Sequence, residues 1–257
     1  MSDSLFKSFT AKKCPTWRCP VCFNETLSIV PESFFKTYNG ASSRSENEDW
    51  FGAEYVVMVF SCVLRCQRSD CGETVAVTGT GEIDVYNYYD ESGKTQTDYT
   101  NTFHALTFYP PIPLFKPPVM CPDTVLNLLG SVSSLLTGHS TSAANAIRSL
   151  LEVLLDDLQV PRESIGKGNR GRAMTLHERI ENYRDITGIH HEGMMALKVF
   201  GNAGSHGEVI EQKHLEDACL VLEQLVIQLY SSRADVTAQI SRLNEEFNKK
   251  NRQRLPE

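Results

Sequence analysis

Four cysteines in two short pairs carry the plainest chemistry in this chain: Cys19-Pro20-Val21-Cys22 and Cys66-Gln67-Arg68-Ser69-Asp70-Cys71-Gly72. A tight turn of this kind presents two thiolates about one tetrahedral edge apart, and two such turns close a four-cysteine zinc site. Gly72 suits the left-handed backbone often needed after the second thiolate. Residues 23–65 separate the pairs, more than in a usual ribbon, so an insertion must loop out between them. Cys14 in place of Cys19, or Cys62 in place of Cys66, would break the pairing. Cys19, Cys22, Cys66 and Cys71 are therefore the expected ligands. Four thiolates leave no position for water or substrate, so the zinc is expected to be structural. The plainer alternative is a set of reduced structural cysteines.

A second candidate is Gly201-Asn202-Ala203-Gly204-Ser205-His206, which follows the apolar run Met194 to Phe200. Small residues let backbones approach closely, and in a helix Asn202 and His206 share one face. Lys198, four before Asn202, can face the same side. On an upstream helix Arg148 and Glu152 are i, i+4 partners beside a leucine stripe. They read either as an exposed surface pair or as neighbours of Asn202 and His206 across a helix interface. The plain reading of the glycine-rich segment is a close helix contact and chain reversal, with Asn202 and His206 capping backbone groups.

The elements that must position these residues divide the chain. Residues 1–110 read as strands and turns. Glu54 to Phe60 and Thr74 to Thr78 are rich in β-branched and aromatic residues and flank the second cysteine turn, which predicts an antiparallel hairpin. Asn39 to Asp49 is a polar loop. Residues 111–122 read as a proline-rich linker, because five prolines between Tyr109 and Pro118 exclude helix and central strand alike.

Residues 123–257 read as helical throughout. Asp123 can cap a helix running to about Leu136, with Gly138 past its end. Ile147, Leu150, Leu151, Leu154, Leu155 and Leu158 give a strict helical stripe between about Ser142 and Gln159. Thr175-Leu176-His177-Glu178 has capping-box form, and that helix, with Leu176, Ile180, Tyr183 and Ile186 on its buried face, stops at Gly188. Further helices are expected at His191 to Phe200 and at Lys213 to Tyr230. A more polar one, Ala234 to Arg252, would dock through Val236, Ile240, Leu243 and Phe247. The Arg162 to Arg172 segment reads as a basic, glycine-rich surface loop. The fold class is α+β, a small β-rich zinc-ribbon module followed by an all-α helical bundle.

Composition narrows the function classes. A net charge of −7 over 257 residues leaves no global basic field for nucleic acid. Apolar runs of about eight residues fall short of the ~20 needed to span a bilayer. The first residues lack a signal-peptide layout, so the cytoplasm is the expected compartment. Eight cysteines in that compartment point to metal or burial, not disulfides.

The order of these features resembles the domain-of-unknown-function family 4145: a Cys-Pro-x-Cys ribbon, a proline-rich linker, the Ala146-Ile147-Arg148-x-x-Leu151-Glu152 helix and the Gly201-Asn202-x-x-x-His206 ending. That family looks like a branch of the HEPN superfamily. The resemblance implies a HEPN-like bundle that forms a homodimer, with a composite site contributed by both protomers. It also implies RNA binding or metal-independent RNA cleavage, and a setting of antiviral defence or toxins with a defence-system protein as partner. The site residues it implies are His206, Asn202, Lys198, Arg148 and Glu152. Related ribonucleases carry arginine directly before the polar residue. Here that position is Gly201, so Lys198 or Arg148 would have to supply the charge. The competing reading is a noncatalytic adaptor binding a protein or nucleic acid.

Overall fold

A computed structural model describes residues 3–165, 171–231 and 241–242. Its N-terminal part is an antiparallel sheet. After a short helix α1 (Asp3–Phe6), β1 (Leu27–Ile29) and β2 (Phe35–Tyr38) both pair with one edge of β3 (Met58–Cys66). Then β3 pairs with β4 (Thr74–Tyr89), and β4 with β5 (Thr95–Tyr109). Alternation drives β3: Met58, Phe60, Cys62, Leu64 and Cys66 are all buried, and Val59, Ser61 and Arg65 between them are exposed. The hairpin expected around the second cysteine turn is present, with Arg65 opposite Thr74.

Several boundaries differ from the sequence reading. The first strand of the expected hairpin, β3, begins at Met58 and not Glu54, because Ala53–Tyr55 forms a 3-10 turn. The Asn39 to Asp49 loop contains α2 (Gly40–Ser45), whose first turn is capped by the Asn39 side chain through the Ser42 amide. The long β4–β5 hairpin was not anticipated; its outer half is polar and tyrosine-rich, without the apolar alternation that marks a strand.

The proline-rich segment is packed rather than extended through solvent. Ile112, Leu114 and Phe115 are buried, and Ser133 donates a hydrogen bond to the Ile112 carbonyl. Thr137 donates to the Leu106 carbonyl on β5 at 2.8 Å. These contacts join the sheet core, built around Trp17, Phe9, Phe60 and Phe103, to the helical core.

The helical part begins with α3 (Asp123–Leu136), where Pro122 and not Asp123 occupies the cap position. The leucine stripe forms α4 (Ser140–Asp157), with Ile147, Leu150, Leu151, Leu154 and Leu155 fully buried. The basic segment after it is not all loop: β6 (Glu163–Ile165) pairs with β7 (Gly171–Ala173). The capping box at Thr175 and Glu178 opens α5 (Leu176–Asn182) as expected. Its continuation breaks at Tyr183 into α6 (Arg184–Thr187), and Ile186 is partly exposed. Gly188, at φ 51°, ends that pair of helices, as its type predicts. Next come α7 (His191–Ser205) and α8 (Gln212–Tyr230). The expected helix over Ala234 to Arg252 lies outside the described residues, apart from positions 241–242. So do Lys167 and Arg170 of the basic segment and the basic tail. Among the described residues, no helix is long and apolar enough to cross a membrane.

Candidate functional site

The four predicted cysteines converge. The sulfurs of Cys19, Cys22, Cys66 and Cys71 all lie within 4.8 Å of one another. Cys19 Sγ is 3.6 Å from Cys71 Sγ, and Cys22 Sγ is 3.7 Å from Cys66 Sγ. These separations exceed a disulfide bond length of about 2.05 Å, and all four cysteines are free thiols.

The two turns reach this geometry by the same backbone device. The residue after each second cysteine is left-handed: Phe23 at φ 58° and Gly72 at φ 61°. Gly72 was expected there. Phe23 was not, since a left-handed phenylalanine is strained and has no sequence signature. The register of β3 fixes Cys66, and the 3.1 Å bonds from the amides of Cys71 and Gly72 to the Arg68 carbonyl fold the second turn back.

Polar groups surround the sulfurs, and the thiols respond differently: Cys22 lies below its ordinary value, Cys71 and Cys19 above it. Thr26 Oγ1 lies 3.1 Å from Cys66 Sγ, and the backbone amide of Glu73 bonds to Cys71. Hydrogen bonds from Asn24, first its side chain and then its backbone, lower the Cys22 thiol to about 6. Burial pushes the Cys19 thiol up to about 12 before any cation's charge is counted, against bonds from the Cys22 and Val21 amides. Four sulfurs so placed can hold one metal ion. Asn24 and Thr26 escaped the sequence reading; their only signal was closeness to Cys22. Cys14 and Cys62 stand outside the set: Cys14 donates to the Leu27 carbonyl, and Cys62 is buried in the sheet core.

The second candidate is built on α4 and α7. The helix expected at His191 to Phe200 runs further: α7 continues through Gly201 to Ser205, and His206 is its C-cap. Gly201 and Gly204 are buried against α4. A Cβ on Gly201 would lie 2.6 Å from Arg148 Cβ, and one on Gly204 would lie 2.8 Å from both Ala144 Cβ and the Thr141 carbonyl. The glycines therefore set the distance between the helices, as the plain reading held. They also bring Arg148 directly against the residue preceding Asn202. Ser205 donates to Asn145 on α4 at 2.7 Å.

Lys198, Asn202 and His206 follow at fourfold spacing on the side of α7 turned away from that contact. His206 is exposed, and Lys198 and Asn202 are half-buried. Arg148 Nε is buried without a hydrogen-bond partner. Arg148 and Glu152 form no ion pair among the described residues, contrary to the i, i+4 expectation. Glu152 instead accepts from Arg179 Nη1 at 2.6 Å. Arg179 is 1% exposed and also binds Asp156 at 2.7 Å and the Val160 carbonyl at 2.8 Å. The sequence reading missed Arg179, although its place three residues after Leu176 put it on the buried side of α5.

Residues 131–251 match the domain of unknown function DUF4145. The N-terminal part, residues 7–108, matches a second domain of unknown function, DUF8608, which the sequence reading did not anticipate. The DUF4145 match contains α4, α7 and α8; the DUF8608 match contains all four clustered cysteines. No curated protein matches the chain, and no solved structure does.

Proposed function

We propose that this protein is a HEPN-like, RNA-interacting protein that acts as a homodimer and carries a structural zinc ion in its N-terminal part. One observation carries the reading: Arg148 crosses α7 at Gly201, next to the row of half-buried Lys198 and Asn202 and exposed His206. The position before Asn202 lacks its own cation, and the Cβ of Arg148 on α4 packs directly against it. Val199, 60% exposed on the same side of α7, gives that face an apolar component suited to a second copy.

RNA cleavage by attack of a ribose 2′-hydroxyl needs a base, an acid and positive charge near the phosphorane. Two copies of His206 across a twofold axis would supply base and acid, and Arg148 and Lys198 the charge. Asn202 would orient a phosphate or hydroxyl oxygen. Glu152, held by Arg179, keeps a positioning role rather than a proton-transfer role. The setting that fits this chemistry is antiviral defence or toxin action in the cytoplasm, alongside a defence-system protein.

Zinc is the metal that best suits the N-terminal cluster. A tetrahedral zinc with ~2.3 Å bonds to sulfur has sulfur–sulfur edges of ~3.8 Å, close to the two pairs at 3.6 and 3.7 Å.

Incubating the purified dimer with single-stranded and transfer RNA tests the reading. Cleavage leaving a cyclic phosphate, abolished by His206→Ala and reduced by Arg148→Ala, is the expected result. RNA that stays intact and unbound with verified dimer would remove it. The second reading, a noncatalytic adaptor, is favoured by the capture of Glu152 in the Arg179 network. Under it, His206→Ala leaves RNA uncut in both proteins and partner binding unchanged.

A further inference from the structure

A cavity of about 210 Å³ lies where the first cysteine turn, the proline-rich segment and α3 meet. Leu126, Leu129, Gly130 and Ser133 form its α3 wall, at i, i+3, i+4 and i+7 along one side of the helix. The facing walls come from Pro20, Phe23 and the segment between Pro111 and Pro117. Ser133 is the one polar side chain among the described lining residues, and its hydroxyl is committed to the Ile112 carbonyl.

We propose that this cavity is a binding site for a neutral small molecule of one or two fused aromatic rings. Gly130 carries the proposal. Glycine inside a helix is less favourable than alanine, and packing gives α3 no reason for it. A Cβ at Gly130 would meet no atom within 4 Å, whereas at Gly201 and Gly204 it would strike α4. The space left at Gly130 opens on the cavity, between Leu126 and Ser133 on the adjacent turns. The glycine keeps open a volume that a close-packed core would fill.

The walls select the ligand. An apolar cavity of about 150 Å³ takes benzene, so one of about 210 Å³ has room for a second fused ring. An ion would lose its water shell and find no free side-chain partner, because Ser133 is taken. Pro20, Pro111, Pro113 and Pro117 carry no N–H, so these walls cannot donate to the backbone of a peptide. Their rigidity also sets the shape of the cavity before a ligand arrives, which lowers the cost of binding. Phe23 and Phe115 favour a ring over an aliphatic chain, since aromatic pairs gain more than their buried area. None of the described lining residues belongs to α7, so the assignment stands apart from the RNA reading.

Titration of the purified full chain with indole, followed by methyl-resolved NMR, tests the assignment. Saturable one-to-one binding is expected, with a dissociation constant below about 1 mM. The methyl signals of Ile112, Leu126 and Leu129 should move, and those of Leu222 and Val226 on α8 should stay in place. Gly130→Leu places a side chain in the cavity and should weaken indole at least about tenfold. Its thermal midpoint should equal or exceed that of the parent, because leucine favours the helix. No saturable binding up to about 5 mM indole, shifts centred elsewhere, or undiminished affinity in folded Gly130→Leu would each overturn the assignment. If that variant unfolds, the shifts in the parent chain decide alone.

Discussion

Glu152 and Arg179, 27 residues apart in sequence, meet at 2.6 Å where α4 crosses α5. The arginine is almost wholly buried, and its two terminal nitrogens reach Glu152, Asp156 and the Val160 carbonyl. Removing it leaves Glu152, partly buried, without its ion-pair partner, and Asp156 with Arg162 alone. Arg179→Met should cost about 3 kcal/mol, the lower end of the range for breaking a buried pair, since both acids keep some solvent. Arg179→Lys should recover little, because an ammonium cannot span both acids with a planar fork. Chemical denaturation of the three proteins measures this.

Acid should weaken the same region. Glu178 is held down to about 2 by Arg172, then by the Thr175 backbone and hydroxyl. Asp156 is lowered by Arg162 first and Arg179 second. A depressed carboxyl binds its proton more readily in the unfolded chain. Its stabilisation is therefore complete above the unfolded value near ~4.3 and lost as pH falls toward the folded value. Unfolding followed from pH 6 downward should show stability dropping below about pH 4.3, with a shallower fall in Glu178→Gln.

The α4–α7 contact should reject a single methyl. Gly201→Ala puts a carbon 2.6 Å from Arg148 Cβ and 3.2 Å from the Ala144 carbonyl, with the α4 backbone in the way. A loss of about 1–3 kcal/mol is expected, with Gly204→Ala similar. Gly130→Ala, where nothing lies within 4 Å of the added carbon, should be neutral or stabilising. Thermal unfolding of the three variants provides the comparison.

Metal content should separate the cysteines into two classes. Purified protein should hold about one zinc per chain. Cys22→Ser and Cys66→Ser should lose it and unfold at lower temperature. Cys14→Ser and Cys62→Ser should retain it, since neither sulfur joins the cluster. Elemental analysis of anaerobically prepared variants decides the matter, and a full zinc complement in Cys22→Ser would refute the ligand set.

Local sequence made much of this legible. The spacing of the paired cysteines identified all four clustered sulfurs, because a short turn dictates its own geometry. The leucine stripe identified α4 and its buried residues, because burial on one side of a helix imposes period. The capping box at Thr175 and the stop at Gly188 are likewise local agreements between side chain and backbone. The outer β4–β5 hairpin was illegible because both its sides face water and no alternation is required of it. The buried proline-rich segment misled for a related reason: proline forbids helix and central strand, yet says nothing of whether a segment is packed.

What the sequence determined by itself is therefore the chemistry available: four thiolates in two turns, a leucine-lined helix, and an Asn–His pair at fourfold spacing. Tertiary structure alone decided the partners. It gave Glu152 to Arg179 rather than to Arg148, although i, i+4 geometry allowed the latter. A buried guanidinium must be neutralised, whereas a solvated pair gains almost nothing. It also set Arg148 against Gly201, because only a residue without Cβ lets α4 approach α7 so closely. Such choices depend on which surfaces meet, and no spacing along one segment records that.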